Sequence, residues 1–106
     1  MKPQEKDMKV YISGAISDDN EIIEQENIQF FAREESRLSS RFKEIHNPAA
    51  FVEDGWTWEE YLARDLAWIA MNKPALYMLK GWESSLGARL ERHFAEKLGL
   101  TVIDEN

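Results

Sequence analysis

Hydrophobic and polar positions along the chain fall into short β-rich runs separated by longer amphipathic stretches. Lys9–Ser13 (KVYIS) is the first such run, ending at Gly14, and predicts a strand after a polar tail, Met1 to Asp7, that is expected to fray. The run SDDN offers several N-caps for a helix from Glu21 to about Ser40, with an apolar stripe of Ile23, Ile28, Phe31, Ala32 and Leu38. A second strand is expected around Phe42 to Ile45, broken at His-Asn-Pro, and a loop from Asn47 to Gly55 follows it. Thr57, with Glu60 three residues on, forms a capping box that should start a helix running to about Met71. Its buried stripe should include Trp58, Leu62, Leu66 and Ile69, and Pro74 ends it. Ala75 to Leu79 (ALYML) reads as a buried third strand and Gly81 to Ser85 as a loop. The third helix carries Leu86, Leu90, Phe94 and Leu98 as its stripe, Gly99 caps it, and Leu100 to Ile103 forms the last strand.

Strands separated by helices imply a parallel sheet covered on both faces. The expected fold is one α/β domain over residues 1–106, a small three-layer flavodoxin- or Rossmann-like sandwich with a parallel sheet of four to five strands. If the strand order is 2-1-3-4, the chain reverses direction between the first and third strands, and ligands in such sheets bind outside the carboxyl ends at that reversal. The loops Ser13 to Ser17 and Gly81 to Ser85 would meet there.

The candidate chemistry gathers at the same place. Glu91 lies four residues after Gly87 on the third helix, and helical side chains lean toward the N-terminus, so its carboxylate should stand over a position without a side chain. The backbone N–H groups after Ser85 form the positive end of that helix and favour a polar or anionic group beside the carboxylate. Asp65 falls beside the apolar stripe of the middle helix, so it either pairs with an arginine such as Arg41 or Arg89 or faces a cleft and holds a ligand. Two carboxylates near one cleft suggest glycosyl chemistry, one attacking a sugar carbon and the other protonating the leaving group. Trp82, beside Ser85, could stack on a base, and Arg89 could hold a phosphate or pair with an acid. Trp56, Trp58 and Trp68 read as core or interface anchors, and Arg92 with Glu96 as a solvated i,i+4 pair. His46 and His93 read as surface or loop residues without spaced ligand partners, so no metal site is expected. The run SGAIS lacks the glycine spacing and the lysine of a Walker loop.

Composition narrows the partners. A net charge of −7 disfavours long nucleic acid, which needs clustered Lys and Arg, while leaving a single nucleoside possible. Zero cysteines exclude thiolate chemistry and disulfides and agree with a reducing compartment. No apolar run reaches the length of a membrane span, so a cytoplasmic protein with no membrane partner is expected.

Taken together, SLGARLE at 85–91, VYISGAI in the first strand, NPA at 47–49 and RDLAWI at 64–69 resemble the nucleoside 2-deoxyribosyltransferase superfamily. The similarity is to its short DUF4406 group, common in phages and prophages, and to the 2′-deoxynucleoside 5′-phosphate N-hydrolases. The resemblance implies an enzyme that cleaves the N-glycosidic bond of a 2′-deoxynucleoside or its 5′-monophosphate, as transferase or hydrolase. By position, Glu91 matches the glutamate that attacks C1′, and Asp65 an aspartate that positions or protonates the leaving base. Ser85 and Gly87 match the loop receiving the sugar or its 5′-phosphate, and Tyr11, Gly14 and Ile16 the first-strand loop lining the pocket. It further implies no metal or organic cofactor, and a homodimer or higher homo-oligomer with shared active sites. Asn72, Lys73 and Pro74 stand where relatives often carry an acid, which keeps a non-catalytic, nucleotide-sequestering protein open as the alternative.

Overall fold

A computed structural model of the chain describes residues 4–105. Strand β1 (Lys9–Ser13) is followed by helix α1 (Glu21–Leu38), strand β2 (Glu44–His46), helix α2 (Trp58–Asn72), strand β3 (Ala75–Met78), helix α3 (Leu86–Lys97) and strand β4 (Val102–Ile103). Three short 3-10 turns, Glu5–Asp7, Pro48–Ala50 and Trp82–Ser84, punctuate the connections. All described strand pairs are parallel, in the order β2-β1-β3-β4, so the direction of winding reverses between β1 and β3 as expected.

The alternation of side chains along β1 and β3 divides the core in two. Val10, Ile12, Ala75, Tyr77 and Leu79 pack with Phe31 and Leu38 of α1 on one face. Tyr11, Leu76 and Met78 pack with Ile69 of α2 and Ala88 and Ala95 of α3 on the other. The result is the three-layer α/β arrangement, and among the described residues no helix is long and apolar enough to cross a membrane.

Local chemistry sets the helix ends. Asn20 accepts from the Ile22 and Ile23 N–H groups at the start of α1, and the Thr57–Glu60 capping box starts α2 with both reciprocal bonds made. Helix α2 closes on Lys73 at φ 48°, immediately before Pro74. Helix α3 closes in a Schellman turn, with Gly99 at φ 73° and the Leu100 N–H bonded to the Ala95 carbonyl.

Several expectations are corrected. Residues 4–7 are not a frayed tail: they include the Glu5–Asp7 turn, and the Glu5 carboxylate pairs with Arg41 at 2.7 Å. The part of that expectation on residues 1–3 lies outside the described residues. In α1, Ile23 and Ala32 are exposed, and the inner line runs through Ile28, Phe31 and Leu38. Strand β2 begins two residues later than expected, because Phe42 leaves the sheet edge to pack edge-on against Tyr77. Strands β3 and β4 are shorter than expected by one and two residues. The largest difference is the face of α3: Leu86, Leu90 and Leu98 are 52%, 38% and 38% exposed, and the buried line is Ala88, Glu91 and Ala95. Small side chains let the helix approach β1, β3 and β4 closely, which leucines there would prevent.

Candidate functional site

The floor of the site is built by β1. Tyr11 and Ser13 are two residues apart, so both point to the α3 face of the sheet. There the Tyr11 hydroxyl donates to Glu91 Oε2 at 2.7 Å and the Ser13 hydroxyl donates to Oε1 at 2.8 Å. Glu91 is only 7% exposed. Burial pushes its carboxyl up to about 7, the nearby Asp65 charge adds to the rise, and the two hydroxyl bonds oppose it. The Tyr11 hydroxyl is held well above its ordinary range, by burial first and then by the negative charges of Glu91 and Asp65.

The mouth of α3 is shaped by the turn at Gly81, φ 88°, and by Ser85, whose hydroxyl accepts the Ala88 N–H at 3.2 Å. Gly87 sits one turn above Glu91, where a Cβ would stand 3.7 Å from Trp58 Nε1. Asp65, 6% exposed, approaches from α2. Burial raises its carboxyl, and the adjacent Arg64 opposes that shift. Of the two expected readings of Asp65, an arginine pair and a cleft position, both hold, but with a different arginine. Arg41 is engaged by Glu5 and Glu105 and Arg89 is exposed, so neither reaches Asp65; Arg64 Nε bonds Asp65 Oδ1 at 3.0 Å.

These groups surround a cavity of about 460 Å³ at the carboxyl ends of β1 and β3. Gly14, Ile16, Ser85, Gly87, Asp65 and Glu91 line it, so most of the residues expected at the site are brought together. Tyr11 does not line the cavity but lies beneath it, holding Glu91. Trp82 and Arg89, also expected at the site, do not line this cavity. Trp82 packs against the inner core beneath the Arg92 guanidinium, 4.6 Å from its ring centre.

The aromatic wall is formed instead by Trp58 and Tyr61. Both lie on the helical line that leads to Asp65, at i, i+3 and i+7, so their position was readable once Asp65 was taken to face a cleft. His46 is a correction, being a half-buried residue of β2 and not a surface or loop residue. Its ring stacks on Trp68 at 3.8 Å and Phe51 at 5.3 Å, and burial, aided by Arg64, lowers its pKa. That stack anchors the loop after β2, whose Pro48, Ala49, Phe51 and Val52 close one side of the cavity. On the opposite side the Asn27 amide donates to the Ile16 carbonyl at 3.1 Å and fixes the β1–α1 loop.

Among the described residues, no group of three or more His, Asp or Glu is placed to hold a metal ion. The arrangement is a buried, hydrogen-bonded carboxylate facing a half-apolar cavity, with Asp65 beside it and the rings of Phe51, Trp58 and Tyr61 on the walls. Such a carboxylate can serve as nucleophile or proton carrier toward a small polar ligand. A family model described as a domain of unknown function, DUF4406, matches residues 8–104. No curated protein and no solved structure matches the chain.

Proposed function

The chain belongs to the DUF4406 family, which matches it over residues 8–104, and from the geometry of its site we propose that it cleaves the N-glycosidic bond of a 2′-deoxynucleoside or its 5′-monophosphate. The observation that carries this reading is Glu91: a carboxylate buried at the base of the cavity, with both oxygens held by hydroxyl donors. An oxocarbenium-like transition state gains from a negative group below C1′, and a fixed carboxylate can trap the sugar. In the first step the C1′–N bond breaks and its electron pair leaves with the base, while a Glu91 oxygen forms a bond to C1′. Asp65, whose carboxyl is raised by burial, supplies the proton that the departing nitrogen needs. In the second step a free base or a water attacks C1′, the attacking N–H or O–H gives its proton to the now ionised Asp65, and the C1′–O bond to Glu91 breaks with its electron pair returning to the carboxylate.

The cavity volume of about 460 Å³ suits a nucleoside, and Trp58 and Tyr61 offer faces on which a base could stack. This reading also draws the chain toward the nucleoside 2-deoxyribosyltransferase superfamily. A homo-oligomer belongs to the same proposal, supported by Leu86, Phe51 and Val52, which rim the cavity and remain 52%, 52% and 68% exposed. A cytoplasmic setting is in keeping with the absence of cysteine. The test is to incubate the protein with deoxynucleosides and their monophosphates, with and without a second free base, beside Glu91→Gln. Base release that is lost in Glu91→Gln supports the proposal. A new nucleoside only with added base would make the protein a transferase, and tight binding without product would replace the proposal by the sequestering alternative.

A further inference from the structure

The charges around the cavity bear on which substrate it accepts, given the N-glycosyl reading above. Its described lining residues include four acids, Asp18, Glu24, Asp65 and Glu91, and one cation, Arg64. The guanidinium of Arg64 is already committed. Its Nε donates to Asp65 at 3.0 Å, its Nη1 to the Phe51 carbonyl at 2.6 Å and its Nη2 to the Pro48 carbonyl at 3.3 Å. It is further held between the Trp56 and Tyr61 rings at 5.6 and 5.1 Å. Turning it toward a phosphate would strip Asp65 and two loop carbonyls of their donors.

The acids at the mouth are hydrogen-bonded as well. The Asp18 N–H donates to Glu24 Oε1 at 3.2 Å, and Asp18 Oδ1 accepts the Asn20 N–H at 2.8 Å, so each carboxylate has a backbone donor. Beyond them the cavity continues into an outer lobe sharing Asp18, Glu24, Trp58 and Tyr61 and adding Asp19 and Trp56. No described residue lining that lobe is a cation. A 5′ group that leaves Glu91 toward the β1–α1 side of the cavity meets Asp18 and Glu24. The opposing attraction is the N-terminus of α3, equivalent to about half a charge, together with the Ser85 hydroxyl, which accepts the Ala88 N–H and keeps its own proton to donate.

We infer that the site takes an uncharged nucleoside and discriminates against its 5′-phosphate ester through the carboxylates at its mouth. A phosphate dianion meets the Asp18 and Glu24 carboxylates among the lining residues, with no uncommitted cation among the described lining residues to offset them, and such repulsion is felt over roughly 8 Å at physiological salt. A nucleoside feels none of this, and its sugar hydroxyls can donate to the same carboxylates.

The experiment compares each deoxynucleoside with its own 5′-monophosphate, using the full chain and following base release at low and high salt. The expected result is a kcat/KM at least about tenfold higher for the nucleoside, a ratio that narrows as salt rises. In the double variant Asp18→Asn, Glu24→Gln, the monophosphate-to-nucleoside ratio should climb several-fold. A monophosphate used equally well or better, with Glu91-dependent base release, would overturn this inference and leave the N-glycosyl reading standing. If neither is cleaved, the N-glycosyl reading falls, and calorimetric binding decides the inference. Tighter binding of the nucleoside supports it; equal or tighter binding of the monophosphate, or no binding of either, overturns it.

Discussion

Ser13 and Glu91 are 78 residues apart in the chain and 2.8 Å apart in space. The contact exists because β1 ends directly beneath the first turns of α3, and because strand alternation sends Tyr11 and Ser13 to the same side. One five-residue strand therefore supplies a donor to each oxygen of a single carboxylate. Burial and these donors pull the acid in opposite directions, and burial wins, leaving Glu91 near the middle of the physiological range at about 7. A group so placed is partly ionised at neutral pH and responds to the loss of either hydroxyl.

Activity that depends on ionised Glu91 should therefore rise with pH through about 7. Tyr11→Phe and Ser13→Ala each remove a bond that favours the ionised form, so each should raise the carboxyl further and move the limb to higher pH. A hydrogen bond to a charged group is worth about 1.5–3 kcal/mol, which corresponds to a displacement of roughly one to two pH units. The pH profile of kcat/KM reads this directly. A limb unmoved in both variants would remove Tyr11 and Ser13 from any role in setting the acid.

The same group makes the fold less stable as it ionises. The folded-state value of Glu91 lies above its ordinary 4.5, at about 7, so between these values the folded chain binds more protons than the unfolded one. Stability attributable to this acid is present below pH 4.5, declines as pH rises toward 7, and is lost above it. The span corresponds to about 3 kcal/mol. Glu91→Gln should accordingly be more stable than the natural protein at pH 8, with the advantage fading toward pH 4.5. Denaturant melts at the two pH values check it, and an advantage of equal size at both would show that ionisation is not its cause.

The strongest local signals in the sequence were the ones the structure keeps. The Thr57–Glu60 capping box and the β-rich run before Gly14 depend on near neighbours, and both form as the residues suggest. Glu91 and Asp65 were legible because an acid at Gly-plus-four, or on an apolar stripe, has few places to go except a cavity. The face of α3 was misread because the leucines repeat every four residues, whereas the packing uses the alanines that permit close approach to the sheet. Arg64 and Phe51 were missed because their places depend on the path of the 47–55 loop. That path is set by an aromatic stack on His46 and by two carbonyl contacts, which hydrophobic periodicity does not encode.

Arg64 joins that loop to the acid on α2, and the link should be measurable. Arg64→Met would leave Asp65 buried without its cation and release the carbonyls of Pro48 and Phe51. The expected loss is about 2 kcal/mol, below the full cost for a deeply buried pair because Arg64 retains 25% exposure. Asp65→Asn in the Arg64→Met background should recover part of it, since the uncompensated charge is gone. A double-mutant cycle by urea denaturation tests the coupling, and strictly additive losses would contradict it.

Two glycines at the cavity should respond oppositely to the same added methyl group. At Gly14 a Cβ would stand 3.2 Å from Leu79 Cβ and 3.4 Å from the Phe31 ring, in the packed layer between β3 and α1. Gly14→Ala forces those neighbours apart and should cost about 1–3 kcal/mol. At Gly87 the nearest atom is Trp58 Nε1 at 3.7 Å, an ordinary contact, and the residue is in the first turn of α3. Gly87→Ala should therefore fold as well as the natural protein, or gain up to about 1 kcal/mol from helix propensity. Its methyl group nevertheless narrows the space between Trp58 and Glu91, so substrate binding should weaken by an order of magnitude while the melting temperature holds or rises. Thermal melts beside KM for the best substrate separate the two effects. Unchanged KM in a well-folded Gly87→Ala protein would mean that no ligand group occupies the gap above Glu91.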